Sequence, residues 1–170
     1  DTRDGAWKLP DGETFYKDRL KMYTTTDMHP EEVHELGLKN VRRIHLEMNR
    51  IKKKLGYKEP LKDFFNAVRV NPKLYYSNDN KGRNRYLSTT KKTIARMEKK
   101  LPKFFGILPK AKLTIKRVEP FREKSAGSAF YNGPTSDGKR PGIYYVNLYN
   151  MKEQPIYQLE ALAFHESVPG

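Results

Sequence analysis

The sequence predicts an α+β fold, mostly helical, with a small antiparallel sheet just before a C-terminal helix. Three observations predict it. Apolar residues recur at helical spacing through most of residues 1–110, the period shortens to two between residues 112 and 149, and a last apolar helix follows Pro155. The chain thus divides into a helical region, 1–110, and a sheet-plus-helix region, 111–170. Its 170 residues are the size of one domain.

The first helix spans about Glu13 to Tyr23 after a turn-rich entry, with Phe15, Leu20 and Tyr23 on its buried side and Trp7 packed beneath. A helix-start signal follows at His29-Pro30-Glu31-Glu32, because proline suits a first helical position and the acids complement the positive helix end. Gly37 reads as its stop. A longer helix is expected from Lys39 to Leu55, where Val41, Ile44, Met48, Ile51 and Leu55 trace one apolar stripe. Leu61, Phe64, Phe65 and Val68 repeat the pattern, and Asn71-Pro72 breaks it. Residues 77–84 are polar and glycine-bearing, hence a loop. The next helix runs from about Ser88 to Leu101, with Ile94, Met97 and Leu101 inward.

From Lys112 to Arg117 the residues alternate as in a half-buried strand. Ala126 to Tyr131 is a second strand, and 132–142 is a long turn-forming connection. Ile143 to Tyr149, rich in β-branched and aromatic residues, is the strongest strand of the chain. In the final segment Ile156, Leu159, Leu162 and Ala163 share a face. The helix ends on His165-Glu166-Ser167-Val168-Pro169-Gly170.

Composition limits function. The absence of cysteine excludes disulfides and thiolate metal sites. No apolar run approaches the ~20 residues of a membrane span. The first residues lack a signal-peptide core, which leaves both the cytoplasm and an extracytoplasmic site open. A formal net charge of +14 favours acidic partners, nucleic acid above all. The basic residues are nevertheless spread along several helices, the pattern of a solvated lysine-rich surface.

A His-Glu pair on a helix is half of the zinc-protease pattern, in which the histidine binds metal and the glutamate activates water. The other half, a histidine four residues on, is replaced by Pro169. His29 and His34 are five apart and make no helical metal pair, and His45 only borders an apolar stripe. The dipeptide alone therefore reads as ordinary helix-end packing with solvated charge.

Three stretches taken together say more. The series from Pro30 to Leu38, from Asp137 to Asn147, and from Ala161 to Gly170 resembles, in order, the bacterial family catalogued as domain of unknown function 885. Its members carry His-Glu-x-x-Pro-Gly-His-His after an apolar helix and are inferred to be similar to zinc metallopeptidases. The resemblance implies that this chain is an inner part of a longer protein, ending before the histidine pair. It also implies a peptidase or related amide hydrolase, with zinc held partly by His165 and water activated by Glu166. Without the following histidines the piece itself is expected to hold no zinc tightly and to be inactive. Arg140 becomes a candidate anchor for a substrate carboxylate. Tyr131, Tyr144 and Tyr145 become candidates to line the cleft, at most one of them doing so, because alternation sends Tyr144 and Tyr145 to opposite faces. The strand from Ile143 would offer its edge to an extended peptide substrate. Helix faces left uncovered would favour self-association. The competing interpretations are a basic nucleic-acid-binding module and an interaction module without chemistry.

Overall fold

The computed structural model describes residues 5–168. It is α+β, with five α-helices and one three-stranded sheet among the described residues. The chain forms two compact units, with the boundary between Asn66 and Ala67.

The first unit holds α1 (Gly12–Thr24) and α2 (Pro30–Lys54). α2 is one uninterrupted helix, so Gly37 does not stop it. The start is capped as predicted, the His29 N–H donating to Glu32 Oε2 at 2.7 Å. One internal glycine costs about 1 kcal/mol against alanine, too little to break a helix whose flanking turns are all helix-compatible. Gly37 lacks the positive φ of a stop, and a Cβ there would meet nothing. Exposure is the larger departure. Val41, Ile44, Ile51 and Leu55 are all exposed, as are Phe15, Trp7 and Tyr23. Trp7 meets only the Tyr16 ring among the aromatics, at 5.8 Å. Two helices joined in sequence cannot bury a stripe of this width against each other.

The second unit contains the core. α3 (Leu61–Val70) leads into it, followed by α4 (Asn80–Glu98), β1 (Leu113–Arg117), β2 (Ala129–Asn132), β3 (Gly142–Val146) and α5 (Ile156–Glu166). α4 starts two turns earlier than the polar sequence suggests. Asp79 is its N-cap, with the carboxylate accepting from the Gly82 N–H at 2.7 Å. Gly82 itself is required there, since a Cβ would lie 1.9 Å from the Ser77 carbonyl oxygen.

The sheet order is β1-β3-β2. β2 and β3 pair antiparallel, whereas β1 and β3 pair parallel, so the sheet is mixed rather than antiparallel. The reason lies in β3. Every residue of β3 is buried, and a strand apolar on both faces belongs in the middle of a sheet. β2 and β3 form the hairpin. The long passage between β1 and β3 supplies the crossover that parallel pairing requires. One face of β3 presents Tyr144 and Val146 to Tyr86 and Ile94 of α4 and to Leu159 and Ala163 of α5. The other presents Ile143 and Tyr145 to Val118 and Phe130. Each fully buried large apolar side chain contributes about 1.5–3 kcal/mol, so the sheet and α5 are held on the same core.

Candidate active site at the end of helix α5

α5 is positioned at three points. Gln154, buried just before it, donates to the carbonyls of Ser128 (3.1 Å) and Asn147 (2.9 Å) and accepts from the Tyr86 hydroxyl (3.2 Å). Pro155 stands at the N-cap, one residue before the first helical position. Midway, Glu160 pairs with Arg96 of α4. Leu159 and Ala163 face the core, and Glu166 follows them at helical spacing, half-buried at the end of the same stripe. His165 lies about 100° around the helix axis and is exposed. Ser167 ends the helix, and its buried hydroxyl donates to the Ala163 carbonyl. The predicted Pro169-Gly170 stop lies outside the described residues.

The structure separates the candidate tyrosines. Tyr131 sits opposite Tyr144 in the β2–β3 register and shares its face. It remains partly exposed on an edge strand, its ring lying over Gly142, where a Cβ would be 2.2 Å from the hydroxyl. Tyr131 also lines an apolar pocket of about 400 Å³ with Leu101, Phe105, Leu113, Ser167 and Val168. Tyr144 is fully buried, and its hydroxyl has no hydrogen-bond partner among the described residues. Burial first, and then the nearby Tyr86 hydroxyl and Glu166 carboxylate, push its pKa far above the usual phenol range. Tyr145 points to the opposite face, stacked on Phe130 at 4.9 Å with the Arg122 guanidinium 5.0 Å from its ring centre. It belongs to a second, structural cluster.

Arg140 closes the β2–β3 loop through its backbone. Its N–H donates to Thr135 Oγ1 and its carbonyl accepts from the Thr135 N–H. The side chain is exposed, two residues before Gly142. This is the end of the sheet where Tyr131 and Leu113 meet Ser167 and Val168. The structure thus brings Tyr131 to the residues that follow Glu166, and gives the Arg140 side chain no contact with them among the described residues. The expected peptide edge is corrected: β3 is paired on both sides, and the free edges belong to β1 and β2.

Sequence reasoning missed Tyr86 and Gln154, which seat Tyr144 and α5. Tyr86, Thr90, Thr93 and Ile94 are buried together on α4. That stripe is readable in principle once the helix is started at Asn80. An exposed imidazole is a suitable zinc donor, and an adjacent half-buried carboxylate is a suitable base. Among the described residues no three His, Asp or Glu side chains cluster as a metal site.

These features define a class: an α+β unit in which a helix ends on a His-Glu pair beside a tyrosine-bearing mixed sheet. The chain belongs to the bacterial family of proteins of unknown function, domain of unknown function 885, whose profile matches residues 1–170. Among solved structures, the crystal structure of the "putative lipoprotein from Colwellia psychrerythraea" is similar, at 31% identity and a TM-score of 0.88. The match covers 98% of this chain and 28% of that one, so the chain spans little more than a quarter of that relative. No curated protein matches. No helix among the described residues is long and apolar enough to cross a membrane.

Proposed function

We propose that this chain carries part of the active centre of a zinc-dependent peptidase or related amide hydrolase within a longer protein. The observation that carries this reading is the end of α5, where a half-buried Glu166 completes the inward stripe and His165 stands exposed beside it. The resemblance of the His-Glu helix end to half of the zinc-protease pattern supports the chemistry, and the 28% share of the Colwellia relative supports the longer protein. The lipoprotein description of that relative favours an extracytoplasmic location over a cytoplasmic one.

A bound zinc would supply a Lewis acid and a water acidic enough to ionise near neutral pH. His165 would hold it through one ring nitrogen, the other nitrogen fixed by an acceptor. Glu166, on the adjacent position, would take the proton of the attacking water and return it to the leaving amine. Its partial burial keeps the carboxylate short of competing solvent. Tyr131, at the exposed edge of the same sheet end, would contact the substrate, and Arg140 would hold a substrate carboxylate through its forked donors. The apolar pocket beside Tyr131 would take a non-polar substrate group.

The test uses the full-length protein, with zinc measured by elemental analysis and turnover measured on a peptide library. Glu166→Gln is expected to keep the zinc and to lose about 100- to 10,000-fold in kcat, the usual weight of a general base. His165→Ala is expected to lose the zinc. A full-length protein that holds no zinc and cleaves nothing, but binds RNA or DNA with a steep salt dependence, overturns the hydrolase reading in favour of the charge.

A further inference from the structure

We propose that the end of the sheet beside α5 binds an extended peptide, taking a large apolar side chain into one cavity and the acidic side chain of its immediate neighbour into a second. That such a peptide is then cleaved rests on the hydrolase reading above. Its binding does not.

Two cavities meet at this end of the sheet. The apolar one, of about 400 Å³, is lined by Leu101, Phe105, Leu113, Tyr131 and Val168, and by Ser167, the residue after Glu166. The other, of about 550 Å³, is lined by Lys110, Lys112 and Lys139 with the hydroxyl-bearing Thr114, Thr135 and Ser136. Ala111 and Lys112 line both and form the ridge between them. Strand alternation sets the two cavities on opposite faces. Leu113 lies on the face of Tyr144, whereas Thr114, paired with Ile143, lies on the other. An extended peptide alternates in the same way, so one that crosses the ridge sends adjacent side chains to opposite sides.

Charge selects what enters the second cavity. No acidic residue lines it. Asp137, on the neighbouring loop, is turned toward its own turn, where Oδ1 accepts from the Thr135 hydroxyl at 2.6 Å and the Lys139 N–H at 3.1 Å. Its other oxygen stands 3.5 Å from Lys139 Nζ. Lys110 and Lys112 meet no carboxylate among the described residues. Ammonium groups gathered around one cleft repel each other, and a carboxylate placed among them turns that repulsion into attraction. The walls stand ready for it. The Lys112 carbonyl accepts from the Gly142 N–H at 2.9 Å, which ties the ridge to β3. The facing loop is closed by the Thr135 N–H on the Arg140 carbonyl at 3.2 Å and the Gly138 N–H on the Thr135 carbonyl at 2.9 Å. A preformed backbone lowers the ordering cost of binding. The lysine side chains are exposed, so each contributes modestly and the preference weakens as salt is added.

Titration calorimetry on the full-length protein tests this, with Glu166→Gln introduced so that bound peptide is not cleaved. The probes are end-blocked hexapeptides with a leucine beside a glutamate, in both orders, and the same peptides with lysine or glutamine for the glutamate. In one order the glutamate peptide is expected to bind about fivefold or more tighter than its lysine counterpart at low salt. Lys110→Glu with Lys112→Glu is expected to abolish or invert that preference. Phe105→Ser is expected to weaken the glutamate and glutamine peptides alike. Equal affinity for all three peptides overturns the proposal, as does a glutamate preference that survives the double lysine variant. So does a protein that binds none of them and uses the lysines for single-stranded RNA or the apolar wall for a second copy of itself. Turnover by the full-length enzyme separates the two readings. Selective binding without cleavage leaves the site standing and removes the hydrolase. Cleavage indifferent to an acid beside the apolar residue removes the site and leaves the hydrolase.

Discussion

At the scale of single residues, the buried ion pair behind the sheet shows how much one charge can matter. Glu123 is 2% exposed and receives two bonds from Arg117, at 2.6 and 2.7 Å. The Arg117 hydrogen bond, more than any other influence, holds its carboxyl below the usual carboxylate range. Because the folded-state pKa lies below the unfolded one, the pair's stabilisation is complete above roughly pH 4.3. It is lost as the pH falls through the lower folded-state value. Glu123→Gln is therefore expected to cost about 2 kcal/mol at pH 7 and progressively less in acid. Urea midpoints of both proteins at pH 7 and pH 3 check this, and a gap that does not shrink at pH 3 contradicts it. Nothing in the spacing of Arg117 and Glu123 reveals the pair, since it forms only when the chain after β1 folds back on the sheet. His165 and Glu166 are legible as a dipeptide. Their division into an exposed imidazole and a half-buried carboxylate follows from which face of α5 the core takes up.

At the scale of elements, α2 and β3 mark the limits of periodicity. The stripe from Val41 to Leu55 is a correct helical signal, and the helix is there, but no partner within its unit covers it. Ile44→Lys with Ile51→Lys is expected to leave thermal stability within about 0.5 kcal/mol, as exposed substitutions do. The same pair should lower the self-associated fraction of this chain in light scattering. A large loss of stability would mean that the stripe is packed. β3 shows the converse. Its unbroken apolar run is the signature of a central strand, and a central β3 is what makes the sheet mixed and closes its edge to a peptide. The start of α4 was hidden by a polar segment whose Asp79 and Gly82 are a cap and a close-approach glycine, features that polarity alone does not distinguish from a loop.

At the scale of the whole molecule, the two units differ in how much they bury. Among the described residues up to 66, the buried set is Gly12, Lys52 and Phe64, whereas both hydrophobic clusters lie in the second unit. Amide hydrogen exchange is expected to protect β3, α4 and α5 at least about 100-fold more than α1, because local opening follows the density of buried contacts. Equal protection throughout would contradict two units of unequal stability. The sequence by itself determined the α+β class, the existence of the helices and strands, the lack of thiolate chemistry and the family resemblance. Those properties are written in composition and local period. The parallel pairing of β1, the burial of Tyr144, the removal of Tyr145 to the far face and the exposure of α2 were decided only by tertiary structure. Each depends on which surfaces, distant in sequence, meet in space, and a local period carries no record of that.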